Sequence, residues 1–464
     1  MARQRIMMDL KTQPIWSLNN MRVKSTIKKL IPEGAISFYH YCLAWLAAFY
    51  SGFPSKKLAT IGIVGTKGKT STANFIWSCL KQAGFKTGML STANIRIGQE
   101  EFLNKYHMTM PGPFIVQGYL KKMLKSGCSF AIIEATSEGI KQWRHKGIYF
   151  DFLVFTNLSP EHLPSHKNSF EKYKETKGKV FNGLTNYPHK RLAGRDLKKT
   201  IIVNADDANS QYFLNFKAER KLTFGIKKLA DYQAINLQTN EKGTTFFVKS
   251  KPYQMNVIGQ FNVYNALPAI AICDLLGIDY GKIENGLADL KILPGRMEVI
   301  NQGQDFTVLV DYAHEPKSME LALSASRKLV KSGGRLIVLL GAEGGGRDKT
   351  KRPKMGELAG KLADIVVVSN VDPYDDNPLE IIEDIAKKAE QAGKIRSQNL
   401  FAIEDRREGI KKCLYLAQAG SVVLITGKGA EQSMIIAEKN IPWDDREVVK
   451  DELKGYRRIN INNQ

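Results

Sequence analysis

Cysteine is sparse in this chain. Five residues (Cys42, Cys79, Cys128, Cys273 and Cys413) are spread over 464 positions, with no C-x-x-C pair. That spacing excludes a disulfide framework and a cysteine zinc site, and it fits a reducing compartment. Low-complexity tracts are also missing, and the 43% apolar content is enough to fold. No internal repeat is found, and no secretory signal stands at the start: the first apolar run is late and lacks a small-residue cleavage site. Acidic residues are few, 46 against 68 Lys and Arg, for a net charge of +22. Such a balance fits a generally basic protein or one with an anionic partner such as nucleotide, lipid or nucleic acid. No basic motif interleaved with aromatics is present, so nucleic acid is not expected.

One long uncharged run is there. "ISFYHYCLAWLAAFYSGF" (36–53) has no Lys, Arg, Asp or Glu, and Lys24, Lys28 and Lys29 precede it. It only just reaches spanning length, and its Ser, Tyr and His dilute it. A packed helix, an interfacial helix and a true span stay open.

A chain of 464 residues exceeds one core, which predicts roughly two to four domains. "LATIGIVG" (58–65), "FAIIEAT" (130–136), "FLVFTNL" (152–158) and "TIIVNADD" (200–207) are short β-branched runs, each followed by a helical stretch. They predict buried strands of a mostly parallel sheet. "INLQTNEKGTTFFV" predicts a hairpin turning at Asn240–Gly243. A second strand–helix series follows at 306–313, 335–342, 364–371 and 421–428. The expected organisation is a short atypical N-terminal segment with an aromatic helix (1–55), a central α/β domain (56–297) and a C-terminal Rossmann-like α/β domain (298–464).

"GIVGTKGKTSTANF" (62–75) follows the first strand and opens a helix. The usual phosphate loop reads G-x-x-x-x-G-K-[ST], which would need glycine where Ile63 stands. Gly65 and Gly68 can still turn the backbone so that its N–H groups face phosphate. Lys69 supplies a point charge, and Thr70 a hydroxyl for Mg²⁺. This predicts a nucleotide site. Glu134, Glu161 and His162 fall at the ends of later strands, where open α/β sheets bind ligands. A carboxylate and an imidazole there suit a second divalent ion, or are merely loop residues; Pro164 spoils a helical H-x-x-x-H zinc site. Three polar loops, "GAEGGGRDKTKRP", "SNVDPYDDNP" and "ITGKGAEQ", share one rim and predict a substrate wall.

Together these motifs resemble the Mur ligase family, ATP-dependent amide-forming enzymes of peptidoglycan precursor synthesis. "GTKGKTST" resembles the family's shortened loop G-T-x-G-K-T-[ST], and "EATSEG" its E-V-S-S-H stretch. "FTNLSPEHLPSH" resembles F-T-N-L-[ST]-x-D-H-L-D-x-H, and "GQFNVYNALPA" resembles G-x-F-N-x-x-N-A-L-A-A. "PGRMEVI", "DYAHEP", "GGGRDKTKRP" and "WDDREV" are similar to further family segments, over residues 56 to 455. The order and "DYAHEP" resemble most the branch that adds the third residue of the stem peptide.

The resemblance implies that ATP phosphorylates the terminal carboxylate of a UDP-muramoyl-dipeptide, and that an incoming amine then displaces phosphate. It implies ATP binding by Gly65, Thr66, Lys67, Gly68, Lys69, Thr70 and Ser71, with Asn262, Asn265, Arg296 and Asp311. It implies two Mg²⁺ ions held by Thr70, Glu134, His162 and Lys177, the last carbamylated. Lys69, Lys177, His162 and Glu134 form the implied catalytic set. Thr109, Ser137 and Arg144 are implied on the muramoyl-peptide, and Arg347, Asp372, Tyr374, Gly427 and Glu431 on the amino-acid side. A cytoplasmic monomer is implied, with peripheral membrane contact through 36–53 as an addition. The chain also departs from the family. Glu138 and Ala430 stand where the motifs have His, and Gly346 where one has Asp. Val371-Asp372-Pro373-Tyr374 aligns with the D-N-P-R motif that reads diaminopimelate, so the amino acid stays open. The later "DNPL" (376–379) aligns with a helix start. The N-terminal part is far shorter than the family's uridine-binding domain. A folylpolyglutamate-synthase-like ligase, or one acting on a lipid-linked muramoyl substrate, is the alternative.

Overall fold

Every residue of β1 (Ala59–Val64) is buried. Its side chains serve two cores: Ala59, Ile61 and Ile63 join one apolar cluster, and Val64 the other. A strand covered on both faces reads as a continuous apolar run rather than an alternating one. Gly62 is small because a Cβ there would lie 2.7 Å from Leu153 and 2.8 Å from Phe150. The computed structural model describes residues 32–461, except 93, 105, 107, 162, 193, 241–242, 291–293 and 438. His162 therefore lies outside the described residues.

The strands after β1 are β2 (Thr87–Leu90), β3 (Asn94–Ile97), β4 (Glu100–Leu103), β5 (Phe130–Ala135) and β6 (Phe152–Phe155). After a separate hairpin of β7 (Lys190–Leu192) and β8 (Arg195–Leu197) come β9 (Thr200–Asn204) and β10 (Arg220–Gly225). β11 (Tyr232–Asn240), β12 (Gly243–Val248) and β13 (Lys251–Met255) complete the sheet. Its order is β13-β12-β11-β10-β9-β6-β1-β5-β2-β3-β4. Neighbours from β11 through to β2 run parallel. Antiparallel strands extend both edges. The four strands expected from the sequence form the centre, and the expected hairpin sets Asn240 opposite Gly243.

A second sheet uses β14 (Glu298–Ile300), β15 (Thr307–Asp311), β16 (Leu336–Leu340), β17 (Ile365–Val368), β18 (Leu400–Ala402) and β19 (Val422–Thr426). Its order is β14-β15-β19-β16-β17-β18, parallel except for β14. Leu336, Val338 and Leu340 pack on one face, and Ile337 and Leu339 on the other. A last hairpin pairs β20 (Ser433–Ile436) with β21 (Lys439–Pro442). The α/β architecture, with a mostly parallel central sheet and a second α/β sheet, is as the residues predict.

A helix ahead of β1 and a backbone joint between the sheets complete the frame. The helix Glu33–Ser51 buries Ala44, Ala47, Ala48 and Ser51 and ends at Gly52, whose φ is 78°. No helix among the described residues is long and apolar enough to cross a membrane, so the spanning reading of 36–53 falls. Between the sheets, Gly295 (φ 60°) packs its backbone against Gly429 and Ala430.

Candidate active site

β1 delivers the chain into the loop at Gly65, and Gly68 turns it into the helix Lys69–Gln82. Gly68 has a φ of 81°, and a side chain there would overlap Asn265 Oδ1. The segment after β6 braces the loop from below. Asn157 Oδ1 accepts from Lys67 N at 2.9 Å, and its Nδ2 donates to Lys67 O at 3.1 Å. Lys69 Nζ donates to the carbonyls of Gly65 (3.0 Å) and Thr66 (2.8 Å). Burial lowers its pKa, and Glu134 and Glu161 oppose that shift.

Glu134, on β5 beside β1, is fully buried. Thr70 Oγ1 donates to its Oε2 at 3.2 Å, and Thr92 N donates to its Oε1 at 3.2 Å. Thr92 Oγ1 lies 2.8 Å from Thr109 Oγ1, which extends the chain of hydroxyls. Burial raises the Glu134 pKa against the pull of Lys69. Lys177 is buried behind the loop and donates to Gly65 O at 2.8 Å. Burial, and then the charge of Lys69, holds its pKa well below the usual lysine value. A lysine that gives up its proton readily is a nucleophilic amine, as carbamate formation requires. Thr70 and Glu134 offer hard oxygens, the donor type Mg²⁺ takes.

The second sheet closes over this floor. Arg296 stacks on the Tyr312 ring with its Cζ 4.4 Å from the centroid. Asp311 accepts from Met297 N (2.7 Å) and Ala313 N (2.8 Å). Burial raises its pKa, with Arg296 opposing. His314 Nε2 stands 3.7 Å from Glu161 Oε1, and its Nδ1 faces Tyr312 O at 2.7 Å. Glu161, His314 and Glu315 present ligand atoms within 4.8 Å of one another. Lys67 pairs with Glu161 at 3.0 Å and Lys351 with Glu315 at 2.9 Å, so this acidic grouping already has counter-charges.

At the far end Lys428 bridges Asp372 (2.7 Å) and Glu431 (2.6 Å). Burial works against the Lys428 charge, but Glu431 and Asp372 outweigh it and raise the pKa. Tyr312 donates to Glu431 at 2.9 Å, and Arg347 donates to the Tyr374 hydroxyl at 3.3 Å. Asn377 of "DNPL" instead caps the helix Pro378–Gln391, its side chain accepting from Leu379 N.

A cavity of about 1280 Å³ joins floor and cover. Two family models match the chain: the Mur ligase middle domain over residues 63–273, and the Mur ligase glutamate ligase domain over 295–429. The chain is 36% identical over 414 residues to the UDP-N-acetylmuramoyl-L-alanyl-D-glutamate–2,6-diaminopimelate ligase 1 of Clostridium acetobutylicum, covering 88% of this chain and 80% of that one. It is 36% identical over 428 residues to the UDP-N-acetylmuramyl-tripeptide synthetase of Roseiflexus sp. (strain RS-1), covering 89% and 82%. A solved diaminopimelate ligase structure is similar at 28% identity and a TM-score of 0.58, covering 86% of this chain and 79% of that one. The chain belongs to the Mur ligase family.

This Mur ligase is thereby an ATP-dependent enzyme that forms amide bonds. Its cavity wall includes Thr66, Lys67, Gly68, Lys69, Thr70, Ser71, Thr109, Glu134, Ser137, Lys177, Asn265, Arg296, Asp311, Arg347, Asp372, Tyr374 and Glu431. Other expected residues stand behind the wall. Gly65 offers its carbonyl to both lysines. Asn262 accepts from Asn265 Nδ2 at 3.2 Å and so aims it. Arg144 is committed to the Met110 carbonyl and to Gln142. Gly427 packs close to Val371. Sequence reasoning missed Thr92, Asn157, Tyr312, His314 and Lys428 as wall residues. Asn157, Tyr312, His314 and Lys428 sit in the family-like motifs, just past strand ends, and that position was the signal for them.

Proposed function

We propose that this chain adds an amino acid to a UDP-N-acetylmuramoyl-dipeptide in peptidoglycan precursor synthesis, through an acyl phosphate. One observation carries the reading: the phosphate loop with Glu134 and Lys177 faces, across one cavity, the wall of Arg347, Asp372, Tyr374 and Glu431. Residues 56–297 would take the nucleotide and muramoyl-peptide, and 298–464 the amino acid. A carboxylate oxygen of the dipeptide attacks the γ-phosphorus and ADP leaves. The amine then attacks the acyl carbon, phosphate departs with the electron pair, and the amine loses a proton.

Lys69 and the loop N–H groups would hold the phosphates, with Asn265, Arg296 and Asp311 around the nucleotide. Thr70, Glu134, His162 and a carbamylated Lys177 would hold two Mg²⁺ ions, which neutralise charge on the transferring phosphoryl group. The wall side chains would exclude water from the acyl phosphate and orient the amine. Thr109 and Ser137 line the peptide side, and Arg144 would steer it through the segment it pins. We place the enzyme in the cytoplasm as a monomer.

ADP release with UDP-muramoyl-dipeptide and a panel of amino acids tests the reading. Stimulation by one or a few amino acids is expected. If none stimulates turnover while folate with glutamate does, the folylpolyglutamate-type alternative replaces it.

A further inference from the structure

The helix Glu33–Ser51 has no part in the cavity. No charged residue occurs from Gly34 to Ser55. Its two faces differ in size, not in polarity. The small face, with Ala44, Ala47 and Ala48, is buried against protein. The other face is aromatic and meets water: Phe38 is 68% exposed, Phe49 72% and Tyr50 77%, with Tyr39 and Leu46 between. With exposed Cys42 between them, positions 38, 42, 46 and 49 recur every three or four residues, flanked by 39 and 50, and so form one stripe. Tyr50 extends the stripe to half-exposed Phe114, at 6.3 Å between ring centroids. Lys56 sits over the Phe53 ring at 4.8 Å. Soluble monomers expose large apolar side chains singly, and a contiguous stripe marks a contact surface.

We propose that this stripe docks on an anionic lipid surface, with the helix lying in the headgroup plane. Charge complementarity selects that occupant. The protein carries +22, and the 31 residues before the described helix segment contain seven Lys or Arg and one Asp. Exposed Lys56 and Lys57 mark the other end. Aromatic side chains with basic neighbours suit the headgroup boundary. A second copy would bring like-charged segments together. Docking would also orient the enzyme, because Trp143 donates to Ser37 Oγ at 2.8 Å and meets Tyr41 edge-on at 5.6 Å. Trp143 immediately precedes Arg144.

The test is co-sedimentation of the full chain with phosphatidylcholine vesicles, with and without phosphatidylglycerol; it needs no substrate and is independent of the ligase assay. Binding to the anionic vesicles is expected, weakened by salt. The exposed-face variant Phe38→Ser/Phe49→Ser/Tyr50→Ser should bind at least about tenfold more weakly. It should keep the wild-type melting temperature and ADP-binding affinity, which excludes misfolding as the cause. Failure of the wild type to sediment overturns the proposal, as does equal binding by the variant. So does a wild-type dimer in light scattering that the variant turns monomeric. Binding that arises only after removal of residues 1–31 would assign the stripe to that segment and overturn it too.

Discussion

Lys177→Ala is the sharpest perturbation of the site. The side chain is buried behind the phosphate loop and donates to Gly65 O at 2.8 Å. Burial lowers its native pKa, whereas the unfolded lysine titrates near its ordinary value, about 10.4. In the window between those two values the unfolded chain binds a proton that the native chain does not. In bicarbonate-free buffer, where Lys177 is the free amine, wild-type stability therefore rises with pH through that window, by at most about 1.4 kcal/mol per pH unit, and the alanine variant lacks this slope. The stability gap between the two should widen as pH rises. Activity should respond on a different scale. Removing one preorganised group that stabilises transition-state charge, such as an oxyanion-hole donor, costs about 10²–10³-fold, or about 2.7–4 kcal/mol, and the same scale is taken for Lys177. Coupled ADP release should fall by that factor in Lys177→Ala, with partial recovery on adding formate or acetate. Wild-type activity should decline in bicarbonate-depleted buffer, and ¹³C-bicarbonate should give a carbamate signal that the variant lacks. Full activity in the variant would refute the role of Lys177. Wild-type indifference to bicarbonate, with no carbamate signal, would refute the modification.

Three further outcomes are expected. Gly68→Ala meets a φ of 81° and overlaps Asn265, so it should cost about 1–2 kcal/mol in stability and weaken ADP binding at least about tenfold by calorimetry. Tyr374→Arg puts a guanidinium in the wall beside Arg347, at a position that already has a φ of 52°. In competition assays it should shift selectivity about tenfold toward an amino acid with a second carboxylate, and unchanged selectivity would remove Tyr374 from the specificity wall. Arg406→Ala leaves Asp445 without its 2.6 Å partner, both side chains being fully buried. Urea unfolding should show a loss of about 3–5 kcal/mol, and a loss near zero would mean that the pair is not a structural tie.

How much could be read in advance depends on where each signal lives. The central strands were legible because burial on both faces leaves uninterrupted β-branched runs, as in β1 and β5. Strands β2 to β4 were not, because four-residue strands such as "EEFL" carry charge and offer no period. The phosphate loop was legible from glycine spacing and its strand–helix setting. The contacts that make the cavity were not: Glu161 meets His314, and Lys428 meets Asp372, across long stretches of chain. The first pair depends on how the two sheets are set against each other, and the second on the strand order that brings β19 and β17 to either side of β16, neither of which local pattern encodes. The sequence also could not say that Asn262 acts through Asn265, since both asparagines read alike one turn apart on a helix.

The packing of Gly295 against Gly429 and Ala430 bears on how amino-acid choice can be re-engineered. Backbone meets backbone there, so the segment entering the second sheet and the loop leading to Glu431 form a single casting. A library that grows side chains at 295 or 429 would distort the joint and the wall together, and its hits would be hard to attribute. Diversity placed at 347 and 374, which line the same cavity without joining that backbone contact, leaves the casting alone and changes the wall proposed to receive the amino acid.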